Sequence, residues 1–278
     1  MRHLPEPQRL DQLLVALDLF ASRSRARDAI QRGTVKVDGR VVTKPSLVFA
    51  ATQEFTIEDP AQEYVSRAAL KLVAGLDHFG LSPEGCECLD VGASTGGFTE
   101  VLLKRGAAHV TSVDVGHGQF HPRLADDPRV TNIEGLNARY MEPEDIDDRP
   151  IDFVVSDVSF ISLKLALVPA LDLAEPGAHC LLLVKPQFEA GREAISKAGL
   201  LKEPETAPLV AAELERWLTE EMGWTSLGLI PSPISGGDGN EEFLLAGVKP
   251  EDAEGADDDD DDADDDIDGD DVSGEDAE

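Results

Sequence analysis

Cysteines and long hydrophobic runs are scarce in this sequence, and each scarcity excludes a class of protein. The 278 residues include only three cysteines, Cys86, Cys88 and Cys180. A C-x-C pair with no histidine close by fits neither a zinc knuckle nor a redox C-x-x-C motif, so we expect buried thiols and no metal site. No hydrophobic run approaches the ~20 residues that span a bilayer, which excludes an integral membrane protein of the helical type.

An apolar leader is also missing at the amino terminus. The first residues, MRHLPEPQRLDQLL, have charges and prolines where a signal peptide needs an apolar core. The hydrophobic share of 41% is that of an ordinary globular chain. We therefore expect a cytoplasmic protein with no membrane association and no stable protein partner.

Basic residues are outnumbered overall, but they are unevenly distributed. The net charge is −32, yet residues 251–278 alone contribute 18 acidic and no basic side chains, which leaves −14 for the rest. Residues 22–44 have the opposite balance, with seven basic residues and two acidic ones. The local basic segment permits a nucleic-acid partner that the net charge argues against. The acidic segment, 250–278, has too few apolar residues to fold and is predicted to be a disordered tail.

The amino-terminal segment, 8–58, is predicted to be a small helical and hairpin module. RLDQLLVALDLF has leucines at helical spacing, and Ser22 or Ser24 can cap the following helix, which Gly33 ends. VKVDGRVV alternates around Asp38-Gly39, the pattern of a type I′ hairpin. A linker, 59–66, follows this module.

Residues 67–249 alternate apolar strands with helical patterns. The candidate strands are ECLDVG, HVTSVDV, RVTNIEG, DFVVSDV, HCLLLVK, TSLGLIPS and EFLLAGVK, and the helical patterns include 96–105, 161–173 and 207–222. Such alternation predicts an α/β fold with a Rossmann-like doubly wound sheet of about seven strands. The last two strands are separated by a glycine-rich turn and predict a hairpin, with the last strand antiparallel.

The glycine-rich turn after the first of these strands, LDVGASTGGFT at 89–99, predicts a cofactor site. A dinucleotide fold requires G-x-G-x-x-G, whereas Gly92, Gly96 and Gly97 form G-x-x-x-G-G. Asp90 before the turn would repel a pyrophosphate but suits the amino-acid group of S-adenosylmethionine. Asp114 ends the next strand, where a carboxylate can accept both ribose hydroxyls of either cofactor. The loop favours a methyltransferase over a dinucleotide enzyme or a fold without catalytic activity. The predicted cofactor residues are Asp90, Gly92, Ala93, Ser94, Thr95, Gly96, Gly97, Phe98 and Asp114.

Four charged residues on neighbouring elements predict the chemistry. Lys71 lies on a helical pattern, while Asp157, Lys185 and Glu242 lie at strand ends, where open α/β sheets bind ligands. A lysine beside a second lysine can lose its proton and act as a base towards a ribose hydroxyl, with the acids orienting the pair. Singly, each residue could equally be an ordinary surface charge. The segment Ser156–Phe160 lacks the Asn/Asp-Pro-Pro-aromatic loop of many N-methyltransferases, which disfavours an amino-group target.

These motifs together resemble the TlyA family of ribosomal-RNA 2′-O-methyltransferases, which have an FtsJ-like catalytic domain and often a hemolysin label. The resemblance rests on LDVGASTGGFTEVLL, VVSDVSFISL, LLLVKPQFE and GNEEFLL, behind the amino-terminal RLDQLLV…SRSRARDAIQRGTVKVDGRVVTKPS. It implies a catalytic Lys-Asp-Lys-Glu tetrad at Lys71, Asp157, Lys185 and Glu242, with Glu241 as an alternative to the last. It also implies cytidine 2′-hydroxyls of 23S and/or 16S RNA as the acceptor. The acidic tail has no counterpart in the family pattern.

The amino-terminal module resembles the RNA-binding domain named after ribosomal protein S-four. Its helices and hairpin would present basic side chains to phosphates on folded ribosomal RNA or ribosomal subunits. The predicted RNA-binding residues are Arg9, Arg23, Arg25, Arg27, Arg32 and Lys36. A merely solvated basic helix remains the alternative at this point, as do a membrane-lytic protein and an inactive RNA-binding protein for the chain as a whole.

Overall fold

The structure is a computed structural model that describes residues 5–237 and 239–251. The predicted disordered tail therefore lies almost entirely outside the described residues. Within them, no helix is both long enough and apolar enough to cross a membrane.

The amino-terminal module is built from two short helices and two small sheets. Its elements are β1 (Gln8–Arg9), α1 (Leu10–Ala16), α2 (Arg23–Gln31), β2 (Val35–Val37), β3 (Arg40–Val41), β4 (Val48–Phe49) and β5 (Phe55–Ile57). The Ser22 hydroxyl accepts the backbone N–H of Arg25 and caps α2, one of the two predicted possibilities. Asp38 and Gly39 have φ of 48° and 76°, so the predicted type I′ turn joins β2 to β3.

The second part of the chain forms a larger α/β domain. Its helices are α3 (Ala69–Phe79), α4 (Gly97–Lys104), α5 (Pro122–Ala125), α6 (Leu163–Ala166), α7 (Val168–Leu173), α8 (Pro186–Glu189) and α9 (Ala207–Arg216). Its strands are β6 (Glu87–Val91), β7 (His109–Asp114), β8 (Val130–Glu134), β9 (Phe153–Ser156), β10 (His179–Val184), β11 (Thr225–Pro231) and β12 (Phe243–Val248). All seven candidate strands are present. The helical pattern at 161–173 is divided into α6 and α7, because Pro169 has no N–H to continue one hydrogen-bonded helix.

The sheet has the order β11-β12-β10-β9-β6-β7-β8. Five strands from β10 to β8 are mutually parallel, while β12 runs antiparallel to both of its neighbours. The predicted fold class and the predicted terminal hairpin are therefore confirmed. Because β12 runs opposite to the parallel strands, its first residues lie at the edge of the sheet where the parallel strands end.

Helices cover both faces of this sheet, and the strand residues alternate between two hydrophobic layers. On β10, Leu182 and Val184 belong to one layer, and Leu181 and Leu183 belong to the other. All four side chains are fully buried. A central strand that is apolar on both sides is the pattern expected of a parallel sheet between two helical layers, and it leaves the strand ends as the place for polar chemistry.

Candidate active site

A cavity of about 270 Å³ lies at the carboxyl edge of the parallel strands. All four residues of the predicted tetrad line this cavity, together with part of the glycine-rich loop. Its other lining residues include Ser66, Arg67, Ala68, Gly92, Ala93, Ser94, Thr95, Gly97, Phe98, Ser159, Phe160, Gln187, Phe188 and Gly237. The fold therefore brings together charged side chains that are up to 171 positions apart in the sequence.

One side of the cavity holds the ion pair between Lys71 and Glu242. Lys71 lies on α3 and donates to Oε2 of Glu242, which immediately precedes β12. Both residues are about 95% buried, with exposed fractions of 5% and 4%. The neighbouring Glu241 is exposed and does not line the cavity. The geometry thus favours Glu242 over Glu241 as the fourth member of the tetrad.

The other side holds a second pair, formed by the residues that follow β9 and β10. Lys185 Nζ lies 2.6 Å from Asp157 Oδ1, an ion pair without hydrogen-bond geometry. Its hydrogen bonds go to Ser159 Oγ at 2.7 Å and to the Asp157 carbonyl at 3.4 Å. Lys185 is buried, so its ammonium group is held by these three oxygens rather than by bulk water.

The glycine-rich loop passes between β6 and α4 in close contact with the rest of the domain. Gly92 has φ of +85°, and a Cβ there would lie 3.0 Å from the backbone nitrogen of Val158. At Gly96, with φ of +91°, a Cβ would lie 2.5 Å from Leu124. The sequence reasoning expected these glycines to make room for a ligand. The structure gives an additional reason, because the protein's own chain occupies the space beside them.

Asp90 is completely buried beneath this loop and does not line the cavity. Its Oδ2 accepts the hydroxyl of Thr99 at 2.6 Å, whereas no described group hydrogen-bonds to its Oδ1. Burial away from water raises the pKa of Asp90 to about 7. A carboxylate oxygen that has no partner at this depth would be stabilised by a cationic ligand group nearby.

Asp114 ends β7 and holds two loops together. Its Oδ2 accepts the N–H of Ser94 at 2.8 Å and its Oδ1 accepts the N–H of Gly116 at 2.7 Å. Like Gly96, it does not line the cavity. A carboxylate has about four lone-pair sites, so these two bonds leave capacity for ribose hydroxyls.

Several cavity residues escaped the sequence reasoning, and Phe160 is the clearest of them. Its side chain is 90% exposed, and its φ of +67° is unusual for a bulky residue. The hydroxyl oxygen of Ser159 beside it accepts a hydrogen bond from Lys185 Nζ. The only available signal was the position of both residues directly after the strand that ends in Ser156.

The predicted RNA-binding arginines of α2 make extensive contacts inside the protein. Arg25 donates to the carbonyls of Ala61, Tyr64 and Val65 in the linker. Arg32 pairs with Asp59 through two hydrogen bonds of 2.9 and 3.0 Å and also contacts Asp28. These two arginines therefore fasten the module to the linker, whatever else they bind.

The remaining four predicted RNA-binding residues are more accessible. Arg9 and Arg23 both pair with the buried carboxylate of Asp11, whose pKa they lower through hydrogen bonds and charge. Lys36 pairs with Glu58, a residue of which more than half is exposed. Arg27 is exposed and makes no ion pair with any residue in 5–237 or 239–251.

A second and larger cleft, of about 1130 Å³, separates α2 from the larger α/β domain. It is lined on one side by Arg25, Arg27 and Arg32, and it shares Ser66, Arg67 and Gly237 with the cavity described above. Arg67 spans the two domains, because it pairs with Asp28 at 2.5 Å and donates to the Ser235 carbonyl. This basic cleft, which is lined by Arg25, Arg27, Arg32 and Arg67, is thus continuous with the cavity that holds the predicted tetrad.

Two protein families match the chain. Residues 64–249 match the FtsJ-like methyltransferase family, and residues 8–49 match the S4 domain. The two matches together cover the cavity that holds the predicted tetrad and most of the amino-terminal module.

Individual relatives match over most of the chain. It is 44% identical over 239 residues to the 16S/23S rRNA (cytidine-2'-O)-methyltransferase TlyA of Mycobacterium tuberculosis, covering 85% of this chain and 88% of that protein. It is 38% identical to Hemolysin A of Brachyspira hyodysenteriae, covering 85% and 98%. A solved structure of a hemolysin-named protein from Streptococcus thermophilus matches with a TM-score of 0.68 at 39% identity, covering 88% and 89%.

Proposed function

The chain belongs to the FtsJ-like methyltransferase family, of the TlyA type, and from this we propose that it methylates a ribose 2′-hydroxyl of ribosomal RNA with S-adenosylmethionine as donor. The acceptor we propose is a cytidine in 23S and/or 16S RNA, following the activity named for the Mycobacterium tuberculosis relative. The observation that carries the proposal is the meeting of two lysine–carboxylate pairs beside a glycine-rich loop in one cavity.

The donor site fits the residues that surround it. Asp90 has a buried oxygen with no hydrogen-bond donor, which suits the ammonium group of an amino acid. Residues 92–98 would hold the methionine part, and Asp114 would accept the ribose hydroxyls. When bound, S-adenosylmethionine supplies an electrophilic methyl group on a sulfonium.

The roles of the tetrad follow from its contacts. Lys185 would act as the base once its ammonium group has released a proton to solvent; the neutral amine would then take the proton of the acceptor hydroxyl, with Asp157 and Ser159 fixing its direction. Lys71 is held by Glu242 on the facing side, where its charge can stabilise the oxygen that loses the proton. Lys71, Lys185 and Glu242 are buried and Asp157 is largely so, which limits access of water, and the reaction would depend mainly on positioning the hydroxyl.

The acceptor would reach this site along the basic cleft. Arg27 and the other accessible cations of the module offer contacts to phosphates, which give a grip that depends on salt and little on sequence. Phe160, at the mouth of the cavity, offers an exposed aromatic face on which an unstacked base can rest. We propose assembled ribosomal subunits as the physiological partner and hence a cytoplasmic location.

The test uses purified protein, S-adenosylmethionine and ribosomal subunits from a strain that lacks the gene. Primer extension at low nucleotide concentration should show a new stop at a cytidine, and alkaline hydrolysis should leave that position protected. Absence of any methylated ribose on either subunit would contradict the proposal. Because one relative has a hemolysin name, the same preparation is added to liposomes, where release of a trapped dye would favour the membrane-lytic alternative.

A further inference from the structure

Two segments that supply catalytic residues touch each other at three points. The first is the loop that follows β9, from Asp157 to Ser162, and the second is Lys185 with α8. Lys185 contacts Asp157 and Ser159 within the cavity. The rings of Phe160 and Phe188 pack with their centroids 5.1 Å apart at the mouth.

Glu189, the last residue of α8, makes the third contact and is not needed for the chemistry proposed above. Its Oε2 accepts the hydroxyl of Ser162 at 2.5 Å, and its Oε1 accepts the N–H of Leu163 at 2.8 Å. It does not line the cavity. Both carboxylate oxygens therefore bind the point where the loop ends and α6 begins.

The loop contains a residue, Phe160, whose backbone conformation depends on support from its surroundings. Phe160 has a backbone conformation that bulky residues rarely adopt, and 90% of its surface is open to solvent. Conformations of this kind persist only where surrounding contacts fix them. The loop begins at Asp157, which pairs with Lys185, and ends at Ser162, which binds Glu189.

We propose that Glu189 is a positioning residue that fixes the loop 157–162 and thereby sets Phe160 and Ser159 for the acceptor nucleoside. The inference rests on the proposed function, since it assigns Glu189 to that reaction. Both hydrogen bonds support it, because Glu189 is half-buried and its carboxylate is therefore partly shielded from water, which also raises its pKa.

The variants E189A and E189Q test the assignment against E215A as a matched control. Glu215 also accepts a serine hydroxyl, that of Ser226 at 2.6 Å, but on α9 and away from the cavity. For E189A we expect kcat/KM towards RNA to fall about tenfold to a hundredfold, the range for hydrogen bonds to a charged group. E189Q keeps an acceptor for Leu163 and should retain most activity, while affinity for S-adenosylmethionine should stay unchanged in both.

Thermal midpoints of all variants are measured first, and the kinetics are recorded well below the lowest of them. A merely structural role predicts that E189A lowers the midpoint and leaves kcat/KM for RNA as in E215A, and that result overturns the inference. Equal losses in E189Q and E189A would also overturn it. If E189A does not fold, S162A replaces it, because it removes one of the two contacts and leaves the Leu163 bond.

A double-mutant cycle shows through which residue Glu189 acts. E189A should lower kcat/KM towards RNA much less in an F160A or S159A background than in the wild-type protein, because the side chain that Glu189 positions is already absent. Full additivity in both backgrounds contradicts the inference. Wild-type protein that methylates no RNA would instead refute the proposed function, so the two failures are distinguishable.

Discussion

The catalytic cavity and the amino-terminal module both contain basic side chains paired with acidic ones, but the pairs differ in depth. Lys71 and Glu242 are almost fully buried, whereas the side chains of Lys36 and Glu58 in the module are 31% and 59% exposed. A buried pair is strongly destabilised when one partner is lost, while an exposed pair contributes about 0–1 kcal/mol. The cavity therefore depends on each of its charges, whereas Lys36 can exchange Glu58 for an RNA phosphate at little cost.

The largest effect expected from this difference is the loss of Lys185. K185A removes the proposed base, so methyl transfer should slow about 10²- to 10⁴-fold, the usual contribution of a general base. Single-turnover transfer of labelled methyl groups to ribosomal subunits measures this rate. RNA affinity, measured by filter binding, should be unchanged because the module is intact. Activity within a few-fold of wild type would remove Lys185 from the catalytic set.

The second prediction compares the two adjacent glutamates before β12. E242A should lower the free energy of unfolding by about 3–5 kcal/mol, because it leaves the buried Lys71 ammonium without its partner. E241A should change it by less than about 0.5 kcal/mol, since Glu241 is exposed. Urea titrations followed by tryptophan fluorescence give both values. Similar values for the two variants would contradict the depth assigned to Glu242.

The third prediction distinguishes two arginines of α2 for which the sequence predicts the same RNA-binding role. R25A should lower the free energy of unfolding by about 1–3 kcal/mol, because three linker carbonyls lose their donor. R27A should leave the free energy of unfolding unchanged and weaken RNA binding. Because one phosphate contact is lost, the slope of log K against log salt concentration should decrease in magnitude by about one. Chemical denaturation and binding isotherms at several salt concentrations measure the two effects. The reverse pattern would mean that Arg25 is the phosphate ligand.

The smallest effect concerns Asp90, which is buried beneath the glycine-rich loop and has one carboxylate oxygen without a hydrogen-bond donor among the described residues. Its pKa of about 7 means that the ionised form, which suits a cationic ligand group, increases as pH rises. S-adenosylmethionine should therefore bind about tenfold more tightly at pH 8 than at pH 6, with proton release on binding. Calorimetry in buffers of different ionisation enthalpy measures this, and D90N should abolish the dependence.

The ionisation of Asp90 also makes the free energy of unfolding depend on pH. Its folded-state pKa lies above its ordinary value of 3.8, so the folded protein holds the proton more tightly than the unfolded chain. The contribution of Asp90 to stability is then fully present below about pH 4 and is lost as pH rises through about 7. Unfolding of wild type and D90N across this window should converge at its acidic end.

Local patterns were sufficient to predict most of the fold. Alternating apolar strands, the Ser22 cap and the Asp38-Gly39 turn are encoded within a few residues, and each lies where the sequence placed it. The division of 161–173 into two helices was missed, although Pro169 was visible, because the apolar spacing continues across it.

The site was predicted only where motif and strand end coincide. Asp157, Lys185 and Glu242 lie at strand ends and Lys71 lies on α3, and the structure brings all four to one cavity. The contacts of Arg25 and Arg32 were not predictable, because their partners Asp59, Ala61 and Tyr64 are distant in the sequence. No local sequence pattern indicates which distant residues will meet. Glu189 was missed for the same reason, since it is identified only by its neighbours across the loop.

The position of β12 has a consequence for how the enzyme is made. This strand is inserted between β10 and β11 although it is the last of the seven to be synthesised, and Glu242 comes with it. A chain that folds as it emerges therefore holds Lys71 without its counter-ion until the final strand is in place. Such pairing between distant segments is slow. Methyl transfer by a newly made chain should thus begin only after the last strand has entered the sheet.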